Sequence, residues 1–177
     1  MITTLDQFII KNEEKEYKYY EQPVEYENQQ KKHCQEQGYA HKEIKELAKM
    51  IRTDLKNKYG NTIKFSVRSK GYPREINVEI KKISTEHLMT KEEFKEYMIC
   101  SHLFDEQNYE NYMKPYNETG EIRKFKRYHL KDDVYEDIMK TINKYNYDNS
   151  DPYTDYFDVN YYEHFEFDWE GVTVLEE

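Results

Sequence analysis

Four acidic side chains, Asp148, Asp151, Asp155 and Asp158, stand three or four residues apart near the C-terminus. Oxygen ligands at that density are the raw material of a calcium or magnesium site. A calcium loop needs acids or amides at alternate positions followed by a glycine, whereas this stretch has no glycine and puts Pro152 at a ligand position. A turn in which Asp carboxylates accept bonds from nearby backbone amides fits the residues better. His33-Cys34 and Cys100-Ser101-His102 carry zinc-ligand types, but the pairs are far apart and lack the usual two-residue spacer. No metal is expected, and no cofactor. The chain has no phosphate-cradling glycine loop, no G-x-S-x-G, no H-E-x-x-H and no pair of Cys-x-x-Cys motifs. Its six histidines fall in no motif that marks a base or a nucleophile, and the remaining alternative, an enzyme of unrecognised type, would need a deep pocket with convergent polar groups. The expectation is a non-enzymatic protein that works by binding.

Two surfaces of opposite charge are candidates for that binding. From Tyr145 to Glu177 there is no Lys or Arg, and ten acidic residues hold most of the net charge of −9. The remaining 144 positions carry 27 basic against 26 acidic residues and are close to neutral. Within the acidic stretch, Asp148, Asp151, Asp155, Asp158, Glu163, Glu166 and Asp168 interleave with Tyr156, Tyr161, Tyr162 and Trp169. Carboxylates spaced along an extended segment imitate the phosphate path of a nucleic acid, so this ribbon is a candidate for occupying the cationic groove of a nuclease. The plainer reading is an edge strand whose like charges prevent unwanted pairing. The opposing surface is basic: Lys42, Lys45, Lys49, Arg52 and Lys56 recur at helical steps, with Lys64, Arg68, Lys70 and Arg74 beyond them and Arg123, Lys124, Lys126, Arg127 and Lys131 around Phe125 and Tyr128. That set is the alternative, a nucleic-acid-binding module, set against an ordinary solvated helix face.

The elements that must position these residues follow from periodicity. Residues 4–20 read as a helix with Leu5, Phe8 and Ile9 on one side, and the polar stretch from Glu21 to Gln37, broken by Pro23, reads as a connector. Residues 1–36 are therefore expected to form an N-terminal helical arm, and 37–177 an α+β domain. Ile44, Ala48, Ile51 and Leu55, widened by Leu47, predict a helix over 41–59, ended by Gly60-Asn61. Alternation then takes over. Ile63, Phe65 and Val67 share one strand face with Lys64, Ser66 and Arg68 on the other, and Ile76, Val78 and Ile80 share a face of the returning strand. Thr90-Lys-Glu-Glu93 has capping-box spacing ahead of a helix over 91–101. Residues 105–120 read as loop, Glu121 to Leu130 as a strand, and Asp132 as the cap of a helix through Tyr145 with Val134, Ile138 and Ile142 on its stripe. Phe157, Val159, Tyr161, Phe165 and Phe167 predict one long terminal strand. The expected fold is a small, mainly antiparallel sheet of hairpin plus terminal strand, covered on one face by helices. Two cysteines and the absence of a basic-then-apolar leader point to a reducing cytosol, and no apolar run reaches membrane-spanning length.

Three segments together resemble the large polyvalent protein-associated domain family, type twenty-nine. They are Ala48-Lys-Met-Ile-Arg-Thr-Asp-Leu-Lys56, Ile63-Lys-Phe-Ser-Val-Arg-Ser-Lys70 and the stretch from Tyr145 through Ser150-Asp151 and Asp155-Tyr156-Phe157 to Tyr161. The resemblance implies a mobile-element context, phage, plasmid or conjugative, with counter-defence or DNA-transfer roles, and carries over no catalytic residue. The second strand departs from the pattern, ending Asn77-Val-Glu-Ile80 without a Trp/Asp/Gly-rich continuation. Charge segregation and this context together give the leading expectation: an anti-CRISPR or anti-restriction type of accessory protein that binds a host defence nuclease through its acidic, tyrosine-rich surface.

Overall fold

The computed structural model describes residues 24–100, 111, 113–116, 122, 124–150, 157–167 and 172–175. Among the described residues the helices α1 (Val24–Glu36), α2 (Ile44–Tyr59), α3 (Lys91–Cys100) and α4 (Asp132–Asn143) accompany a sheet. Its strands are β1 (Ile63–Lys70), β2 (Glu75–Ile83), β3 (Lys124–Phe125), β4 (Tyr162–Glu166) and β5 (Val172–Val174). The class is α+β, as expected. The helix expected over 4–20 lies outside the described residues.

The helix-hairpin unit forms for the reasons its periodicity gave. Ile44, Leu47, Ala48, Ile51 and Leu55 are all buried on one side of α2, and burying each large aliphatic side chain contributes about 1.5–3 kcal/mol. Gly60 adopts φ +57 and donates its N–H to Lys56 O, which closes the helix at a backbone conformation L side chains rarely adopt. β1 then pairs antiparallel with β2 in a register that sets Val67 opposite Val78 and Phe65 opposite Ile80. Thr90 and Glu93 form the expected capping box at α3: Thr90 N–H donates to Glu93 Oε2 (2.7 Å) and Glu93 N–H to Thr90 Oγ1 (3.2 Å). Phe94 and Met98 of this helix are buried.

The rest of the sheet differs from expectation. The terminal ribbon is not one long strand: Phe157 is exposed, Tyr161 turns into the core, and pairing begins only at Tyr162. β4 and β5 both lie along β2 and both run parallel to it, opposite Glu75–Glu79 and Lys82–Ile83 respectively, while β3 pairs antiparallel with β5. Parallel pairing requires a long crossover, and the chain between β2 and β4 supplies one through α3 and α4. The segment expected as a strand over 121–130 keeps only Lys124–Phe125 in the sheet and continues as a 3-10 turn at Arg127–His129. Asp132 is the first residue of α4 and not its cap; that position belongs to Lys131, which makes no side-chain capping bond.

The polar stretch read as a connector is instead helical over Val24–Glu36. Its buried Cys34 rests against Asn146 O, with Sγ at 3.5 Å, and Gln30 Nε2 donates to the same carbonyl at 3.2 Å. The sequence of this helix carries only a weak amphipathic pattern, which is why sequence reading passes over it. No described helix is long and apolar enough to cross a membrane.

Candidate functional site

Sheet register decides which side chains share the face left open by the helices. The core face carries Ile76, Val78 and Ile80, and β4 sets Glu163 and Phe165 beside Ile76 and Val78 on that same face. The opposite face therefore presents three rows, each running β1–β2–β4: Lys70–Glu75–Tyr162, Arg68–Asn77–His164 and Ser66–Glu79–Glu166. Lys64 follows opposite Lys82. Lys64, Arg68, Lys70, Tyr162, His164 and Glu166 are exposed.

The basic candidates on α2 join this face around the outer edge of β1. Arg52 Nη2 donates to Val67 O (2.5 Å), which anchors the exposed side of the helix to the strand edge. Lys45, Lys49 and Lys56, in line with Arg52 along the helix, are exposed and make no ion pair among the described residues. Cations on the other flank are used within the fold: Lys58 pairs with Asp137 and Lys144 with Asp54 (2.7 Å). Burial alone pushes the Asp54 carboxyl up, but hydrogen bonds from Lys144 and Tyr145 and the Lys144 charge together hold it below its usual range. The open cations thus form a band, Lys45, Lys49 and Lys56 on the helix with Lys64, Arg68 and Lys70 on the strand. Within it Lys64 leans on Asn61 (2.6 Å) and Lys70 on Glu75 (3.4 Å).

Not every basic candidate belongs to it. Arg52 spends its guanidinium on the β1 edge, and Arg74 donates to Asn160 O, Asn160 Oδ1 and Lys42 O at 2.9–3.1 Å. Arg127 lies over the Tyr135 ring at 4.7 Å and donates to its hydroxyl. Lys124 sits in β3, away from the band.

The acidic ribbon is less open than the sequence implies. Asp158 pairs with Lys31 and also accepts from Asn149 Nδ2 (3.2 Å). Tyr161 is 1% exposed, donates its hydroxyl to Ile142 O (2.5 Å), and its phenol is held well above its ordinary pKa by burial. It is a core residue and not a contact residue. Asp148 accepts from Ser150 N–H (2.9 Å), the Asp turn that the spacing pointed to. Asp148 and Glu166 remain exposed with no cation partner. Asp151, Asp155, Tyr156 and Asp168 lie outside the described residues. Among the described residues no group of three His, Cys, Asp or Glu is placed to hold a metal ion.

Between α1, the C-terminal end of α4 and β4 runs a cleft of about 1130 Å³, lined among others by Asp54, Lys140, Asn146, Glu163 and His164. Glu163 is half-buried there and accepts from Asn146 Nδ2 (3.0 Å); burial pushes its carboxyl up. A carboxyl whose folded pKa is raised costs stability once it must ionise, so the penalty grows as pH rises through the unfolded value of about 4.3 and persists above the folded one. Glu163→Gln keeps an acceptor for Asn146 and removes that penalty. Its melting temperature should exceed that of the unsubstituted protein at pH 7, with the gap closing below about pH 4. A lower melting temperature at pH 7 would show that the ionised form is favoured by its surroundings.

No protein-family model matches the chain, and neither does any curated protein or solved structure.

Proposed function

We propose that the protein binds nucleic acid through the band of open cations along the β1 edge, as an accessory protein of the mobile-element kind that its sequence resembles. The observation that carries this reading is the sorting of its cations. Lys58 of α2 is neutralised by Asp137 of α4, and Lys144 at the end of α4 by Asp54 of α2, whereas Lys45, Lys49, Lys56 and Arg68 have no counter-charge among the described residues. At physiological salt the screening length is about 8 Å, so a phosphate at the band is governed by these local cations more than by the net charge of −9. Lysines that neutralise phosphates release counterions, and affinity then falls steeply with salt, each contact adding about 0.7–0.9 to the logarithmic slope.

The combined variant Lys45→Glu, Lys49→Glu and Lys56→Glu should lower affinity for labelled DNA or RNA at least about tenfold in fluorescence anisotropy and flatten the salt slope by about 2–3. Unchanged affinity, or no binding by the unsubstituted protein even at low salt, would defeat the reading.

A second reading keeps the acidic ribbon as a docking surface for a host defence nuclease. It is favoured by Asp148 and Glu166, exposed and without a cation, within a stretch that has no Lys or Arg. It predicts the reverse pattern: binding to a cationic protein lost on Asp148→Lys with Glu166→Lys and indifferent to the lysine variant.

A further inference from the structure

We infer that the open face of the sheet is a platform for single-stranded nucleic acid, with phosphates along β1 and bases stacked on the side chains of β4; this rests on the basic-band reading above. Two of the three rows join a cation on β1 to a ring on β4, Lys70 to Tyr162 and Arg68 to His164. Both rings lie on the same face two residues apart, about 6.6 Å along the strand. Tyr162 is 42% exposed although large and apolar, and together with His164 it also borders the cleft beside α1 and the end of α4. A third ring, Tyr72, stands 92% exposed in the turn that joins β1 to β2, directly beyond Lys70. Aromatic faces beside a cationic track are how proteins hold unpaired bases, because every base has a face to stack and a duplex hides it.

The charges on the face also set the direction. Glu75 is drawn to Lys70 and Glu79 to Lys81, so neither opposes a phosphate at full strength. Glu166, at the far edge, has no cation and repels one. Phosphates are therefore favoured on the β1 side, and the bases reach inward across β2 to β4, about 10 Å away at the usual strand spacing. Between Arg68 and His164 in the middle row, Asn77 Oδ1 is buried with no hydrogen-bond partner, alone in this among the described side chains. A buried acceptor left open calls for a donor. The amino group of a base lying in that row supplies one once a flanking side chain moves on to the ring system.

The test compares labelled oligothymidylate and mixed-sequence single strands with the corresponding duplex, by anisotropy, for the full chain and for Tyr162→Ala with His164→Ala and Tyr72→Ala. The single strand should bind about tenfold more tightly than the duplex. The ring variants should lose about tenfold or more for the single strand and less than about threefold for the duplex, with thermal melts confirming that they fold. Tyr162→Phe should restore single-strand affinity. Equal affinity for both forms, or ring variants that bind the single strand as before, overturns the platform while duplex binding by the lysine band survives. Failure to bind either form overturns the reading beneath it. Capture of this face by a protein whose binding depends on Tyr162 but not on nucleic acid also overturns the platform.

Discussion

Asn160→Ala is expected to lower stability by about 2–4 kcal/mol, because it leaves several buried polar groups without partners at once. The Asn160 side chain donates to Tyr145 O (2.7 Å) and, at 3.4 Å, to Tyr39 O, and its Oδ1 accepts from Arg74 Nη2 (3.1 Å). Its backbone carbonyl takes Arg74 Nε (2.9 Å), and its N–H donates to Tyr147 O. The residue is 2% exposed, so water does not replace what the side chain supplied. Alanine would strand the Tyr145 carbonyl and take the Oδ1 acceptor from Arg74 Nη2, which keeps Lys42 O, and a stranded group costs about 1–3 kcal/mol. For a chain of 177 residues the melting temperature should fall by roughly 5–15 °C. Asn149→Ala, at a half-buried turn position, is the control and should cost under about 1 kcal/mol. If both variants melt together, Asn160 is not the tie between the α1–α2 connection, the hairpin and the end of α4.

Ile51→Ala should cost about 2–5 kcal/mol by a different route. Ile51 is fully buried at the middle of the α2 stripe, facing the sheet, so truncation removes several methylene groups' worth of burial and leaves a cavity that the surrounding strands fill only in part. Denaturant unfolding should show a lower midpoint at an unchanged slope, the signature of lost stability without a change in compactness. A loss under about 1 kcal/mol would mean that α2 re-seats on the sheet and that its packing is looser than the burial implies. Asn160 and Ile51 belong to separate clusters, so their costs should add in the double variant.

The cations proposed to bind nucleic acid are not the ones that hold the fold together. Lys45, Lys49 and Lys56 stand in water without partners, and exposed charges of that kind contribute little to folding. Arg52 and Arg74 are different, since both donate to backbone carbonyls that hold elements together. Replacing either confounds binding with folding, and for that reason neither serves as a probe of the band.

The helix-hairpin unit was legible because its signals are local. A stripe at helical steps, a glycine at the end, a change of period from 3.6 to 2 and a Thr-x-x-Glu box each act within a few residues, and tertiary packing agreed with them. The α1 helix was not legible, since its polar sequence becomes ordered through contacts with Lys144 and Asn146 more than a hundred positions away. The candidate site divides the same way. The lysine face of α2 could be read from spacing alone. That Arg52 is spent on the β1 edge, and that Asp158 is spent on Lys31, could not.

What the sequence determined by itself is the α+β class, the faces of α2, β1 and β2, and the concentration of the net negative charge in the last 33 positions. What only the tertiary structure decided is which charges remain open and which aromatic rings reach the surface. A strand alternates its side chains with a period of two, so the point at which pairing starts fixes both faces. The alternation of Phe157, Val159, Tyr161, Phe165 and Phe167 already gives Tyr161 and Tyr162 opposite faces, and pairing with β2 from Tyr162 onward turns Tyr161 to the core and sets Tyr162 in a row with Lys70 of β1. That pairing depends on a parallel partner more than eighty residues earlier in the chain, and no local pattern within the ribbon encodes which strand it joins.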